Sequence, residues 1–334
     1  MTALSTRAPF ARTKENREYL ALDMLVAIAP VLVWAVFMFG ARVITLCVVG
    51  AASALALDFP IQRFVFKRAA KTQIDPIVCV YAILSVFAMP VSVPLWFPTL
   101  SAILVVAAKN IYVFRKKRLF NPFVFSAAVL NLVFPKIMTA FTKPFAYFSA
   151  FDISIDPVLL DHYRVLSPLQ YMADGSVYED GVLAQLYGFA SGHIGEIAVA
   201  AMILSAVWLI FRKALDPASV SVMLISVLIL ALIFPSDDAE SSYYAFSVLF
   251  SGATVFLSVF ALGECTTVPI TKLGKAIFGL ACGILLFVSR KVGNGVEWGY
   301  LVVLLLNIAS PFIEKYTQPK ILNEPKTQKK FLKK

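Results

Sequence analysis

The residues able to do chemistry in this chain are few, and they stand beside apolar runs. Glu196 opens an apolar stretch two residues after Ile194, with His193 next to it and Gly192 and Gly195 around them. A carboxylate at the mouth of a membrane helix is a functional group by default, although the helix dipole alone also favours an acid there. His193 has an imidazole suited to proton exchange; a single histidine at an interface equally needs no role. Lys109 closes another apolar run and could meet an anionic phosphate or a reduced ring, or snorkel to the interface. Asn121-Pro122 is either a backbone break that offers polar groups to a ligand or an ordinary helix entry with proline in the first turn. Asp58, at the end of its run, reads as solvated.

Other chemistry is disfavoured by what is missing. The four cysteines, Cys47, Cys79, Cys265 and Cys282, are far apart and form no C-x-x-C, which argues against iron–sulfur or zinc within the chain. With only His162 and His193 present, a haem held by two in-membrane histidines is also disfavoured. No Gly-x-Gly-x-x-Gly fingerprint occurs, so NADH oxidation by this chain itself is not expected. The net charge of +10 does not point to nucleic acid, because the basic residues cluster at the ends of apolar runs.

The elements that must position these groups are membrane helices. Apolar residues make up 60% of 334, charged ones 15%, and mean hydropathy is +0.81. Runs of 17–22 residues, long enough to cross a bilayer, lie near 21–40, 42–59, 75–91, 95–112, 122–140, 192–211, 217–235, 242–262, 273–290 and 297–314. Backbone groups in lipid must be satisfied within a segment, so these are helices. Lys and Arg divide 24 to 6 between alternate connections, which places both tails in the cytoplasm. The basic tail from Lys326 to Lys334 could also touch anionic lipid.

The expected fold is therefore all-α and polytopic, with about ten spans in the cytoplasmic membrane of a bacterium or archaeon. Residues 1–19 form an N-tail and 20–141 the first five spans. An acidic external segment covers 142–190, the second five spans cover 191–316, and a basic tail covers 317–334. Because five is odd, the second half enters from the opposite side, as in an inverted repeat. Spans three and eight both run out into proline-punctuated breaks, Phe87-Ala88-Met89-Pro90 and Phe260 to Pro269. Matching breaks of this kind point to a binding site between the halves.

Several stretches resemble one family, that of the membrane protein RnfD of the Rnf complex and its relative NqrB of the sodium-pumping Nqr complex. They are Asp23-Met24-Leu25 with Ala29-Pro30, Phe120-Asn121-Pro122-Phe123 with Phe134-Pro135, and Gly192-His193-Ile194-Gly195-Glu196. Thr267-Val268-Pro269 with Ile277-Phe278-Gly279 and the exit Tyr316-Thr317-Gln318-Pro319 continue the likeness, in consistent order over roughly residues 20–320. The resemblance implies a ten-helix component of an ion-coupled electron-transport complex, with other membrane subunits as partners and a flavin, FMN or riboflavin, as cofactor. It implies no catalytic site of the chain's own.

The family's flavin is carried in part on a threonine of an outer loop, yet no threonine stands between Lys143 and Ala253. The expected flavin is thus noncovalent, near Lys109, Asn121, Gly192, Gly195 and Glu196. Ser176 and Thr254 are fallback sites for covalent attachment. Ser251-Gly252-Ala253-Thr254 imitates the family's motif, but inside an apolar span it reads as a small-residue stripe for close helix packing. The alternative function is transport of a small solute, such as a flavin, through the same body.

Overall fold

The computed structural model describes residues 17–67, 75–115, 120–173, 178, 180–235, 240–264, 267–293 and 295–318. Ser176, the basic tail and Cys265 lie outside the described residues.

Long apolar runs fold as expected. Helix α1 (Arg17–Phe39) and α2 (Arg42–Pro60, continued by a π-turn at Ile61–Val65) are followed by α3 (Ile77–Phe87), α4 (Trp96–Arg115), α5 (Pro122–Val133) and α6 (Pro135–Met138). Short helices α7 (Pro157–Tyr163), α8 (Pro168–Ala173) and α9 (Gly181–Tyr187) punctuate the long connection. Then come α10 (Val199–Phe211), α11 (Pro217–Ile233), α12 (Ser241–Phe250), α13 (Thr254–Leu257, continued by a π-turn at Ser258–Leu262), α14 (Lys272–Val292) and α15 (Gly299–Thr317). Among the described residues, three unbroken helices are long and apolar enough to cross a membrane, and the bent α12–α13 pair makes a fourth if it is counted as one span. Their outward residues are apolar, with Leu22, Val26 and Val33 exposed on α1 and Leu280, Ile284 and Val288 on α14. Such faces would be a liability in water. The protein is a multi-pass helical membrane protein.

Several expected spans are shorter than hydropathy suggests, each for a local reason. Helix α3 has 11 residues, about 17 Å at 1.5 Å per residue, and ends where Pro90 and Pro94 stop the ladder. Pro135 divides the fifth span into α5 and α6. Residues 192–198 of the sixth are not helical. The eighth bends by 54° at Ser251-Gly252-Ala253, where Gly252 has φ +55°. This corrects the reading of that stretch as a packing stripe. It is a helix break, and a Cβ on Gly252 would collide with Glu297 Oε2.

Helix pairing repeats between the halves. Helix α2 packs on α3 and α4, and α4 on α5; likewise α11 packs on α12 and α14, and α14 on α15. The halves join where equivalent members meet, first span on first (α1 on α10) and fifth on fifth (α5 on α15). That is the arrangement of an inverted repeat about a pseudo-two-fold axis.

Two polar devices fix the ends. The guanidinium of Arg42, fully buried, donates to the carbonyls of Val91 at 3.1 Å, Val93 at 3.0 Å, Ser149 at 2.9 Å and Asp152 at 3.2 Å. It ties the chain after α3 to the long connection. Asp216 caps α11 by accepting from Ala218 N at 3.0 Å and pairs with Lys275. That pairing, then the cap, holds the Asp216 carboxyl below its usual value. A lowered native value means that the contribution is whole above the ordinary carboxylate range and fades as pH falls through the lowered one. Asp216→Ala is expected to cost about 1 kcal/mol at neutral pH, as loss of a cap, and less in acid. Thermal melts at two pH values check this.

Candidate functional site

The site begins with a chain segment that cannot be helical. Gly188, at φ +84°, turns the chain out of α9, and residues 192–198 run irregularly before α10. Irregular backbone inside a membrane protein must find partners within the protein. Here Ile194 N donates to Met89 O at 2.9 Å and Gly195 N to Phe87 O at 2.8 Å. The break before α10 and the break after α3 therefore satisfy each other. Gly195 is required for that approach, because a Cβ would sit 2.7 Å from Phe87 Cβ and 2.9 Å from Phe256 Cε2. Gly195→Ala is expected to cost about 1–3 kcal/mol through overpacking, measurable as a lower melting temperature. Gly192 is looser, its nearest contact at 3.2 Å being a side-chain carbon of Ile197.

The break presents Glu196 to the interior rather than to the α10 dipole. Helix α10 starts at Val199 with no side-chain cap. Glu196 Oε2 lies 2.6 Å from His193 Nδ1, and Oε1 accepts from the Tyr300 hydroxyl at 2.9 Å. All three side chains are buried. Beside them is a cavity of about 20 Å³ whose lining includes Gln185, Ser191, His193, Glu196, Gly252 and Glu297. Glu297 accepts from Ala253 N and Gly299 N, each at 2.9 Å, and Arg290 approaches it at 3.4 Å. Arg290 also donates to Ser251 O and Val248 O, so it holds the α12–α13 break open.

A second buried carboxylate lies on the opposite side of the body. Glu264 accepts from Tyr81 at 2.5 Å and from Asn121 Nδ2 at 3.0 Å. A cavity of about 10 Å³ beside it is lined by Leu20, Met24, Ile77, Tyr81 and Leu84 as well as Glu264. Asn121 also caps α5, the helix-entry reading of its motif, since its Oδ1 accepts from Phe123 N. Between the carboxylates the path is apolar. Gly195 touches Phe256, whose ring lies 5.8 Å from that of Phe123 and 5.3 Å from that of Phe260, all fully buried.

Lys109 is not part of either group. It bridges Asp58 at 2.8 Å and Asp75 at 3.1 Å, with Gln62 and Asn110 bonded to the other oxygen of Asp58. Every member is at most 8% exposed, so Lys109 does not snorkel and Asp58 is not solvated. Thr254 is fully buried and bonds Ser251 O at 3.2 Å, which leaves no room for attachment there.

The structure thus unites Glu196 with Gly192 and Gly195, and places Asn121 and Lys109 in two further clusters. Sequence reasoning passed over Tyr300, Tyr81, Glu264, Glu297 and Arg290 as site members. The signal available was an ionisable residue at membrane depth, which Glu264, Glu297 and Arg290 all carried.

Neither of the two cavities described would hold a flavin as these residues pack. A cavity needs roughly 10–15 Å³ to hold one water, and ligand pockets run to about 300–1,000 Å³. The two cavities described are water-sized.

Comparison with known proteins matches nearly the whole chain. The sequence profile of the NQR2, RnfD, RnfE family matches residues 4–323. The D subunit of the ion-translocating oxidoreductase complex of Actinobacillus succinogenes is 25% identical, over 95% of this chain and 96% of the relative. The D subunit of the Na(+)-translocating ferredoxin:NAD(+) oxidoreductase complex of Acetobacterium woodii is 23% identical, over 96% of each. A proton-translocating counterpart from Clostridium ljungdahlii is 24% identical over 93% of each. Near-equal identity to relatives named for different ions gives no preference for either. The chain belongs to the NQR2, RnfD, RnfE family.

Proposed function

We propose that this chain is the RnfD-type membrane component of an ion-translocating oxidoreductase complex, seated in the cytoplasmic membrane with both tails inside. The observation that carries the reading is similarity over nearly the full length of the chain and of relatives named as that component. In this reading the chain takes electrons from partner subunits, because it has no nucleotide-binding fingerprint of its own. Its own residues supply buried carboxylates on each side of an apolar barrier, Glu196 on one and Glu264 on the other. Groups of this kind in a membrane interior suit a proton or small cation.

A flavin would supply one- and two-electron transfer. We place it against the long connection 142–190, because the two cavities described among the helices are water-sized. Flavin content of the purified protein, before and after denaturing precipitation, tests whether a flavin is bound and how. Flavin released on denaturation supports noncovalent binding, flavin retained on the denatured chain points to attachment near Ser176, and none in either fraction removes flavin from the account. Transport of a free solute is the competing reading; flavin uptake by proteoliposomes holding this chain alone would favour it.

A further inference from the structure

Two polar atoms that face the larger cavity have no partner among the described residues. They are His193 Nε2 and Gln185 Oε1, on side chains that are each 1% exposed. A buried polar atom left unpaired is costly, and such atoms in native proteins commonly mark a bound water. The other end of each side chain is already committed. Gln185 Nε2 donates to Ser247 Oγ at 2.8 Å, and His193 Nδ1 meets Glu196 Oε2 at 2.6 Å. In the neutral tautomer that donates from Nδ1 to the Glu196 carboxylate, Nε2 presents a lone pair to the cavity. The cavity thus offers two acceptors in a volume of about 20 Å³. One water, with two hydrogens to give, matches both the number of acceptors and the space.

We propose that His193 is a proton-transfer station that connects this cavity to Glu196 through one bound water, with Gln185 positioning the water. The balance involves no electrons. An excess proton that reaches the bound water makes it hydronium. Passing a proton to Nε2 forms the Nε2–H bond and leaves neutral water, while the Nδ1–H bond breaks and that proton joins Glu196 Oε2. The imidazole is left as its other tautomer, and the reverse sequence restores it. The charged and titratable groups around the ring are Glu196 on its own segment, Tyr300 on α15, and Glu297 with Arg290 across the cavity. Phe141 packs edge-on at 5.0 Å between ring centres and fixes the imidazole plane. Tyr300 donates to Glu196 Oε1, which holds the carboxylate with Oε2 toward His193. The inference rests on these contacts alone and stands whichever complex the chain joins.

The chain holds two histidines, and His162 is exposed. Nitrogen NMR of the full chain, ¹⁵N-labelled at histidine in lipid nanodiscs, therefore shows two rings, and His162→Asn assigns them. The expected result is His193 with its hydrogen on Nδ1, a free Nε2, and a magnetisation-transfer peak between Nε2 and a bound water. Gln185→Leu is expected to remove that peak, shift the Nε2 signal and slow exchange of the Nδ1 hydrogen with solvent, while leaving the Nδ1 contact to Glu196. A hydrogen on Nε2 in place of Nδ1, absence of the water peak in the unaltered protein, or an unchanged spectrum in Gln185→Leu would overturn the proposal. The peak in the unaltered protein decides the matter if the variant does not fold.

Discussion

Arg42→Met is expected to lower stability by about 3–5 kcal/mol, because it strips donors from four backbone carbonyls and an unmade buried hydrogen bond costs about 1–3 kcal/mol. The sum falls short of four full penalties because water reaches part of the long connection, from which Ser149 and Asp152 contribute their carbonyls. Val91 and Val93, which are buried, lose their partner outright. Arg42→Lys is expected to fall between the two proteins. One ammonium cannot reproduce the planar fork that spans acceptors on two segments. The measurement is the thermal midpoint of the detergent-solubilised chain, with Arg42→Met lowest. An unchanged midpoint would mean that other contacts, such as the bonds from Leu95 N to Ile153 O and from Phe145 N to Met38 O, hold the connection 142–190 to the body.

A comparable loss is expected from Lys109→Met, for an electrostatic reason. The substitution keeps most of the side-chain volume and removes from Asp58 and Asp75 the cation that they share among the described residues. Breaking a buried ion pair by removing one partner typically costs about 3–5 kcal/mol. The diagnostic result is rescue. Adding Asp58→Asn and Asp75→Asn to Lys109→Met removes both unpaired charges and is expected to recover most of the loss, a strong coupling of the kind seen between contacting residues. A lysine that merely snorkelled would cost within about 0.5 kcal/mol and show no rescue.

The same cluster shows where sequence reading reaches its limit. Hydropathy located α1, α2 and α14 because residue type alone decides whether 18 or more consecutive positions tolerate lipid. It cannot tell α3 from a full span, since the residues after Phe87 remain apolar while their backbone leaves the helix. What permits that departure is the pairing of Met89 O and Phe87 O with Ile194 and Gly195, on a segment distant in sequence. Asp58 read as solvated because it sits at a span end; its burial is set by Lys109, 51 residues on. Glu264 went unassigned because its partners Tyr81 and Asn121 lie 183 and 143 positions earlier.

Local signals fared better. Gly195 and Glu196 stood out as a glycine and an acid at membrane depth, and the structure gives both a physical duty. Asn121-Pro122 was legible as a helix entry, while its second bond, to Glu264, was not. Gly252 looked like a packing residue because a small side chain is needed in either case. Only its positive φ reveals the bend.

The central claim is that this chain works as one component of an ion-translocating oxidoreductase complex, and its native company tests that most directly. The tagged chain, purified in mild detergent from its own membrane, is predicted to bring down further membrane subunits together with soluble redox subunits in fixed ratio. The purified assembly is predicted to pass electrons between ferredoxin and NAD(+). A chain that purifies alone from that membrane, with no redox protein in any fraction, would contradict the account.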